Sequence, residues 1–252
     1  MKKVATTGLM LIMVYLGFGV VLYVSQRSLL YYPTPKQNHP FEERVFNNEG
    51  ESINVIVLNQ GRDQAILYFG GNAESVVGNA AEFEFLFPLH TVYLVNYRGY
   101  GGSSGAPEEN GIYSDAEYIF DQIRQQHRAI SVIGRSLGTA VATLIASTRV
   151  LDKLVLITPY DSIENVARGR FFFYPLSLLL KDKYDSLSKV KDITAPTLIL
   201  IAEHDEVIGR KYTMNLVRAF DPARVTVEII RNTGHNTISV EKRYELLLGA
   251  FI

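Results

Sequence analysis

The chain has 252 residues, 47% of them hydrophobic and 20% charged, with a formal net charge of −1. That length holds one ordinary domain beside a leading segment, and so small a net charge gives no basis for a nucleic-acid or polyanionic partner. Cysteine is absent, which excludes a disulfide framework, a thiolate nucleophile and a cysteine-based zinc site.

Lys2 and Lys3 precede an uncharged, mostly apolar stretch from Val4 to Gln26. At about 1.5 Å per residue this makes a helix of roughly 34 Å, enough to cross a bilayer core. A cleaved signal peptide would need small residues at its cut. Gly17-Phe18-Gly19 is a poor site, Val20 to Val24 continues apolar beyond it, and bulky Tyr23 spoils a cut after Ser25. The expectation is therefore an uncleaved anchor over residues 1–30, with Tyr23, Tyr31 and Tyr32 at its interfacial exit. Lys2 and Lys3 before the helix, against Arg27 and Lys36 after it, favour a cytoplasmic N-terminus. The remaining domain, residues 31–252, then faces outward, into the periplasm if the source is Gram-negative.

Arg44 to Asn47 and Ile53 to Leu58 read as an antiparallel pair joined through Asn48-Glu49-Gly50. Ala65 to Phe69 is a strand; Gly70-Gly71-Asn72-Ala73 after it turns into a helix that carries Glu74 in its first turn, where a carboxylate suits the helix dipole. Thr91 to Val95 is a buried strand. The following Gly99-Tyr100-Gly101-Gly102-Ser103-Ser104-Gly105 lacks the spacing of a phosphate loop and reads as a strand-exit turn. Ile112, Ala116, Ile119, Phe120 and Ile123 recur at helical spacing.

Ile130 to Ile133 is a short buried strand, and Leu137 to Ser147 is a helix of small residues. Between them stands Gly134-Arg135-Ser136-Leu137-Gly138. A serine on so sharp a strand-to-helix turn has its hydroxyl pushed clear of the sheet, and glycines on either side permit the close approach of strand and helix. Ser136 is the candidate nucleophile, and it needs a base oriented by an acid. His39 comes before the first strand, His90 opens a strand, His127 ends a helix and His204 closely follows a strand. His235, in the polar loop Asn232 to Asn236 between the strand Val225 to Ile230 and the last helix, is free to turn toward the serine. The acid is sought where Leu198 to Ala202, a buried strand, runs into Glu203-His204-Asp205-Glu206. Asp205 is preferred, with Glu206 as the fallback. N–H groups at Gly71, Asn72 and Leu137 are the candidate oxyanion donors.

Leu154 to Ile157 is the strand after the nucleophile helix, and Val240, Tyr244, Leu247, Leu248 and Phe251 give the last helix an apolar face. Alternating strands and helices of this kind imply an α/β fold with a mostly parallel sheet and helices on both faces. One segment, at about residues 159–195, exceeds that alternation and is expected to form a short helical lid. Phe171, Phe172, Phe173 and Leu178 within it are candidate contacts for an acyl chain. Asp161 reads as a helix cap before Ser162-Ile163-Glu164.

These motifs carry a resemblance. Tyr68 to Ala73, Asn96 to Gly101, Ser103-Ser104-Gly105, Gly134 to Gly138, Tyr160 to Ile163, Glu203 to Val207 and Gly234-His235 are similar to those of the serine-aminopeptidase-like α/β-hydrolases. Within them the chain resembles the membrane-anchored branch that includes eukaryotic protein depalmitoylases, lysophospholipid lipases and bacterial hydrolases. It departs from the pattern at Gly70, where histidine is usual, and at Asn96, where aspartate is usual. The resemblance implies the α/β-hydrolase fold and a triad in the order Ser136, Asp205, His235.

The expected chemistry is attack of Ser136 on an ester or thioester carbonyl, with water later releasing the acyl group. No metal or organic cofactor is implied. The expected partners are a small acyl ester or thioester and the lipid bilayer. Two other readings remain: aminopeptidase-type amide hydrolysis, and a membrane-tethered binding protein without catalysis.

Overall fold

The computed structural model describes residues 2–252, with side chains from Thr6 onward. The side chains of Lys2 and Lys3, on which the expected orientation rests, lie outside the described residues. Helix α1 spans Lys2–Leu30, beyond the apolar stretch read from the sequence. Its Thr6–Leu30 portion has a mean hydropathy of 2.1 over an 18-residue window and is long and apolar enough to cross a membrane.

Strands β1 (Glu42–Asn48) and β2 (Glu51–Leu58) form the expected antiparallel hairpin. Glu49 and Gly50 turn it at φ of 51° and 84°, the left-handed values that tight hairpin turns require. From there strands and helices alternate: β3 (Gln64–Phe69), α2 (Ala80–Leu86), β4 (His90–Val95), α3 (Glu109–Arg124), β5 (Ala129–Arg135), α4 (Leu137–Thr148) and β6 (Leu154–Ile157). Two short helices, α5 (Ile163–Arg168) and α6 (Leu176–Leu179), lie between β6 and β7 (Thr197–Ala202). Helix α7 (Arg210–Ala219), β8 (Val225–Ile230) and α8 (Lys242–Phe251) complete the chain.

The strands form one sheet in the order β1-β2-β4-β3-β5-β6-β7-β8. Only the β1–β2 and β2–β4 pairs are antiparallel. Period-two alternation divides the core between the two faces. Ala65, Leu67 and Phe69 of β3 pack with α3, α4 and α7, while Ile66 and Tyr68 pack with α2 and α8. Leucine, isoleucine and phenylalanine side chains buried this completely contribute roughly 1.5–3 kcal/mol each, so the sheet is a stiff base for what its edge carries. That edge is the carboxyl end of the parallel strands, where α/β sheets bind ligands.

Three local expectations give way. Glu74 is not in a helical turn; the chain first makes a 3-10 turn at Val76–Asn79, with Ser75 as its cap residue, before α2. The cap of α5 is Ser162, whose hydroxyl accepts the Asn165 N–H at 3.0 Å, and not Asp161. Asp161 is fully buried and accepts from the Ser162 N–H, Asn165 and Asn215. Val240 lies in a 3-10 turn before α8 and is 80% exposed, so it adds nothing to that helix's apolar face.

Candidate active site

The turn between β5 and α4 is held by sterics. Ser136 adopts φ 47° and ψ −114°, a backbone state that costs a side-chain-bearing residue about 1–3 kcal/mol unless its surroundings enforce it. Its neighbours do enforce it. A Cβ on Gly134 would stand 2.4 Å from the Gly138 carbonyl oxygen, and one on Gly138 would stand 2.1 Å from the Phe69 oxygen. Strand β5, helix α4 and the end of β3 are therefore in backbone contact, which directs the serine hydroxyl away from the sheet.

Two further strand ends bring partners to that hydroxyl. His235 follows β8, and its Nε2 lies 2.8 Å from Ser136 Oγ. Its Nδ1 lies 2.8 Å from Asp205 Oδ2, just past β7. Since a carboxylate only accepts, Nδ1 carries the proton and Nε2 is left to accept from the serine. Asp205 Oδ1 also accepts the N–H groups of Val207 at 3.0 Å and Ile208 at 2.7 Å, which fixes the carboxylate plane. His235 and Asp205 side chains are 6% and 7% exposed. The fallback acid, Glu206, accepts the backbone N–H of His235 at 3.0 Å; that bond holds its carboxyl below the usual range. Glu203 accepts the N–H of Asn232. Both neighbours thus grip the histidine loop by its backbone, and only Asp205 reaches the imidazole.

The loop after β3 lies against the serine: a Cβ on Gly71 would stand 3.5 Å from Ser136 Cβ. The Gly71 N–H, however, donates to Glu74 Oε2 at 2.7 Å. The N–H groups of Asn72 and Leu137 make no hydrogen bond among the described residues, so they, rather than Gly71, are open to a ligand. Glu74 is the organiser that the sequence did not disclose. It also accepts from Tyr68 Oη at 2.5 Å, Asn79 Nδ2 at 2.6 Å and Arg135 at 3.4 Å. Burial, reinforced by the Glu74 charge, pushes the Tyr68 phenol up and keeps it a donor. A Cβ on Gly70 would stand 3.2 Å from the Glu74 carboxyl, so at this departure from the resembling family the neighbouring space belongs to Glu74.

The Asn72 side chain ties the same loop to α1. Its Nδ2 donates to the Leu30 carbonyl, while its Oδ1 accepts from the Tyr32 N–H at 2.9 Å and from Tyr100 Oη at 2.8 Å. No spacing rule links residue 72 to residue 30, and the sequence holds no sign of this contact.

A cavity of about 230 Å³ lies between α1 and the α5–α6 segment. Gly19, Leu22 and Leu30 line one side; Val166, Phe171 and Leu179 line the other. Ser136 does not line it; Leu30, which does, is bonded through its carbonyl to the Asn72 side chain. Of the candidate acyl contacts only Phe171 faces this space. Phe172, Phe173 and Leu178 are 79%, 47% and 83% exposed. The reason is local geometry: consecutive aromatics in a turn cannot share one side, and on the single turn of α6 Leu178 points opposite Leu176, Leu179 and Leu180. Among the described residues no three carboxylate or imidazole groups gather where they could hold a metal ion.

Comparison with known proteins agrees with the architecture. Residues 64–185 match the family model described as alpha/beta hydrolase fold. The uncharacterized protein Rv2307c of Mycobacterium tuberculosis is 30% identical over 258 residues, covering 94% of this chain and 90% of its own. The lysophosphatidylserine lipase ABHD12 of Macaca fascicularis is 32% identical over 183 residues, covering 63% of this chain and 46% of the lipase. The crystal structure of the Pyrococcus furiosus esterase Pf2001 superposes with a TM-score of 0.70 at 18% identity, over 88% of this chain and 97% of the esterase, a likeness of fold. Rv2307c is 30% identical along nearly the whole length of both chains, and residues 64–185 match the hydrolase family model; the chain belongs to the α/β-hydrolase family.

Proposed function

We propose that the protein is a serine hydrolase that cleaves an ester or thioester of a lipid-like acyl group at a membrane surface. The observation that carries this reading is the unbroken relay Ser136–His235–Asp205, with both hydrogen bonds at 2.8 Å, on a backbone held at a positive φ. As Ser136 Oγ attacks the carbonyl, His235 Nε2 takes its proton, and Asp205 holds the tautomer and stabilises the imidazolium. The N–H groups of Leu137 and Asn72 meet the developing oxyanion. His235 returns the proton to the leaving group, then deprotonates the water that releases the acyl group.

The lipid-like acyl group is supported by the apolar cavity and by α1. On this reading residues 1–30 anchor the chain, residues 31–252 form the hydrolase domain, and residues 159–195 are its lid. Lys2 and Lys3 stay in the cytoplasm, so the hydrolase domain works on the outer side of the membrane. The likeness to a lysophosphatidylserine lipase supports a lipid substrate over a peptide.

A fluorophosphonate tests the chemistry, since only an activated serine reacts with it. Wild type should be labelled stoichiometrically and Ser136→Ala should not. Absence of labelling in a folded wild-type protein would leave the non-catalytic binding reading in its place. Carbonate washing should leave the protein in the membrane, and a reporter fused after Ile252 should register the outer side. A shortened soluble product would refute the anchor.

A further inference from the structure

The segment from Phe171 to Leu180 reads Phe-Phe-Phe-Tyr-Pro-Leu-Ser-Leu-Leu-Leu and contains no charge. Arg168 and Arg170 precede it, and Lys181 and Lys183 follow it. It lies lengthwise against α1. At one end the Tyr15 and Tyr174 rings stack at 4.6 Å, Tyr15 Oη donates to the Phe173 carbonyl at 2.8 Å and Tyr174 Oη donates to the Tyr15 carbonyl at 2.7 Å. At the other, Gln26 Oε1 accepts the Lys181 N–H at 2.7 Å, Arg27 pairs with Asp182 at 2.9 Å and Lys181 Nζ sits 4.5 Å over the Tyr23 ring. Tyr15 to Arg27 is about 18 Å along a helix axis.

We propose that this segment enters the bilayer beside α1, so that the cavity between them opens into the lipid leaflet and takes one acyl chain of a bilayer lipid. The proposal rests on α1 spanning the membrane and on Ser136 as the nucleophile. Length decides the geometry. A hydrocarbon core of about 30 Å needs roughly 20 apolar residues. If the segment stayed in water, only the part of α1 before Tyr15 could lie in lipid, at most about 21 Å. If Tyr23, Gln26, Arg27 and Lys181 mark the headgroup level, the apolar residues before Tyr23 span the core, and the segment reaches about 12 Å below that level.

The segment is built for that medium. Backbone groups in hydrocarbon must find partners within the protein. Here six of the nine N–H groups, those of Phe171, Tyr174, Leu176, Leu178, Leu179 and Leu180, bond within the segment or to Ala167, Pro175 has no N–H, and the Phe173 carbonyl is met by Tyr15. Phe172 and Leu178, mismatched to water at 79% and 83% exposure, become lipid contacts. On α1 the partly covered residues Gly19, Leu22, Gln26 and Leu30 recur at helical spacing and mark one seam. A Cβ on Gly19 would stand 2.9 Å from the Tyr174 ring, which sets how closely the two elements approach. The cavity along this seam, at about 230 Å³, is below the roughly 300–1,000 Å³ of sites for whole drug-sized ligands. It fits one chain and not a whole lipid. Leu30 lines it, and the Leu30 carbonyl accepts from Asn72, next in sequence to the Gly71 that lies against the serine. The membrane helix is then a wall of the substrate site.

The chain contains no tryptophan, so single tryptophans report cleanly. Phe172→Trp and Val14→Trp would each be placed in phosphatidylcholine vesicles with brominated acyl chains. Both should be quenched by the bromines and shielded from aqueous iodide. Quenching at Val14 with iodide-accessible emission at Phe172 overturns the immersion but keeps the anchor; loss of quenching at both overturns the anchor. Ala167 and Leu22 face each other's elements across the cavity lining; Ala167→Phe and Leu22→Trp should each lower kcat/KM for decanoyl esters at least tenfold and leave acetyl esters within twofold. Equal loss on both esters, or no loss, overturns the acyl site. Acetyl hydrolysis that survives Ser136→Ala instead points to failure of the nucleophile assignment.

Discussion

Gly138→Ala is a change of one methyl group, and the structure assigns it a large effect. The added Cβ would lie 2.1 Å from the Phe69 oxygen and 2.7 Å from the Gly70 oxygen, where real Cβ contacts stay beyond 3.0 Å. The difference, 3.0 − 2.1, is 0.9 Å of forced displacement. Both obstacles are backbone, so neither can rotate aside. Helix α4 must move off the end of β3, carrying the Leu137 N–H away from the Asn72 N–H. Misplacement of about 1 Å at a reacting centre costs on the order of 10² in rate. Overpacking of this sort costs roughly 1–3 kcal/mol of stability, which for a chain of this size is a fall in Tm of about 2–12 °C. The assay is kcat/KM on p-nitrophenyl acetate beside a thermal melt. Gly78→Ala is the control, since its Cβ would meet nothing within 4 Å, and it should leave both readouts unchanged. Gly138→Ala with wild-type kcat/KM and Tm would refute steric control of the turn.

Asp205→Asn should reduce ester hydrolysis by on the order of 10³ or more, as should Ser136→Ala and His235→Ala, and double mutants should lose little beyond the singles. Glu206→Gln should cost far less, because Glu206 meets only the His235 backbone; the reverse ranking in kcat would transfer the acid role to Glu206. Arg98 pairs with Asp115 through two bonds of 2.8 Å, with side chains 9% and 4% exposed. Asp115→Ala leaves the buried cation with only the exposed Glu49 carboxylate at 3.6 Å and should destabilise the fold by about 3–5 kcal/mol in urea titration; a loss under 1 kcal/mol would show that Glu49 or water takes over as partner. His127 is held neutral by burial, below its ordinary value, with Nδ1 donating to the Arg62 carbonyl and Nε2 accepting from Tyr93. A base depressed in the fold binds protons more readily when unfolded, so stability falls as pH drops from about 6.5 through the folded value. Tm should decline across that window and decline less in His127→Gln; identical pH slopes would count against His127 as a contributor.

The proximity of Ser136, His235 and Asp205 is legible in the sequence because each stands just beyond a strand of a parallel sheet, two of those strands buried and the third at the edge. Strand order then carries distant residues to one edge. The hairpin is legible for a similar reason, since Glu49-Gly50 is local turn chemistry. What escapes is the part decided by side chains crossing between elements. Glu74 reads as an acidic residue in a first helical turn; in the fold it accepts the Gly71 N–H, because the chain bends into a 3-10 turn first. Phe171-Phe172-Phe173 has neither a 2.0 nor a 3.6 period, so nothing in it says which ring faces inward. The Asn72 contacts with Leu30 and Tyr32 span some forty residues and follow no pattern.

Those last contacts set where the protein can be divided. A catalytic unit cut at residue 31 would lack the Leu30 carbonyl that receives Asn72 and the Arg27 guanidinium that pairs with Asp182 and Glu108. On the proposed reading, then, the last turn of α1, from Arg27 to Leu30, is structurally part of the hydrolase fold although it belongs to the anchor helix. For the same reason the spacing between helix and domain has no slack: a residue inserted after Leu30 would pull Tyr32 off Asn72 and shift a candidate oxyanion donor. In this molecule the length of the junction between α1 and the sheet is part of the alignment of the candidate site.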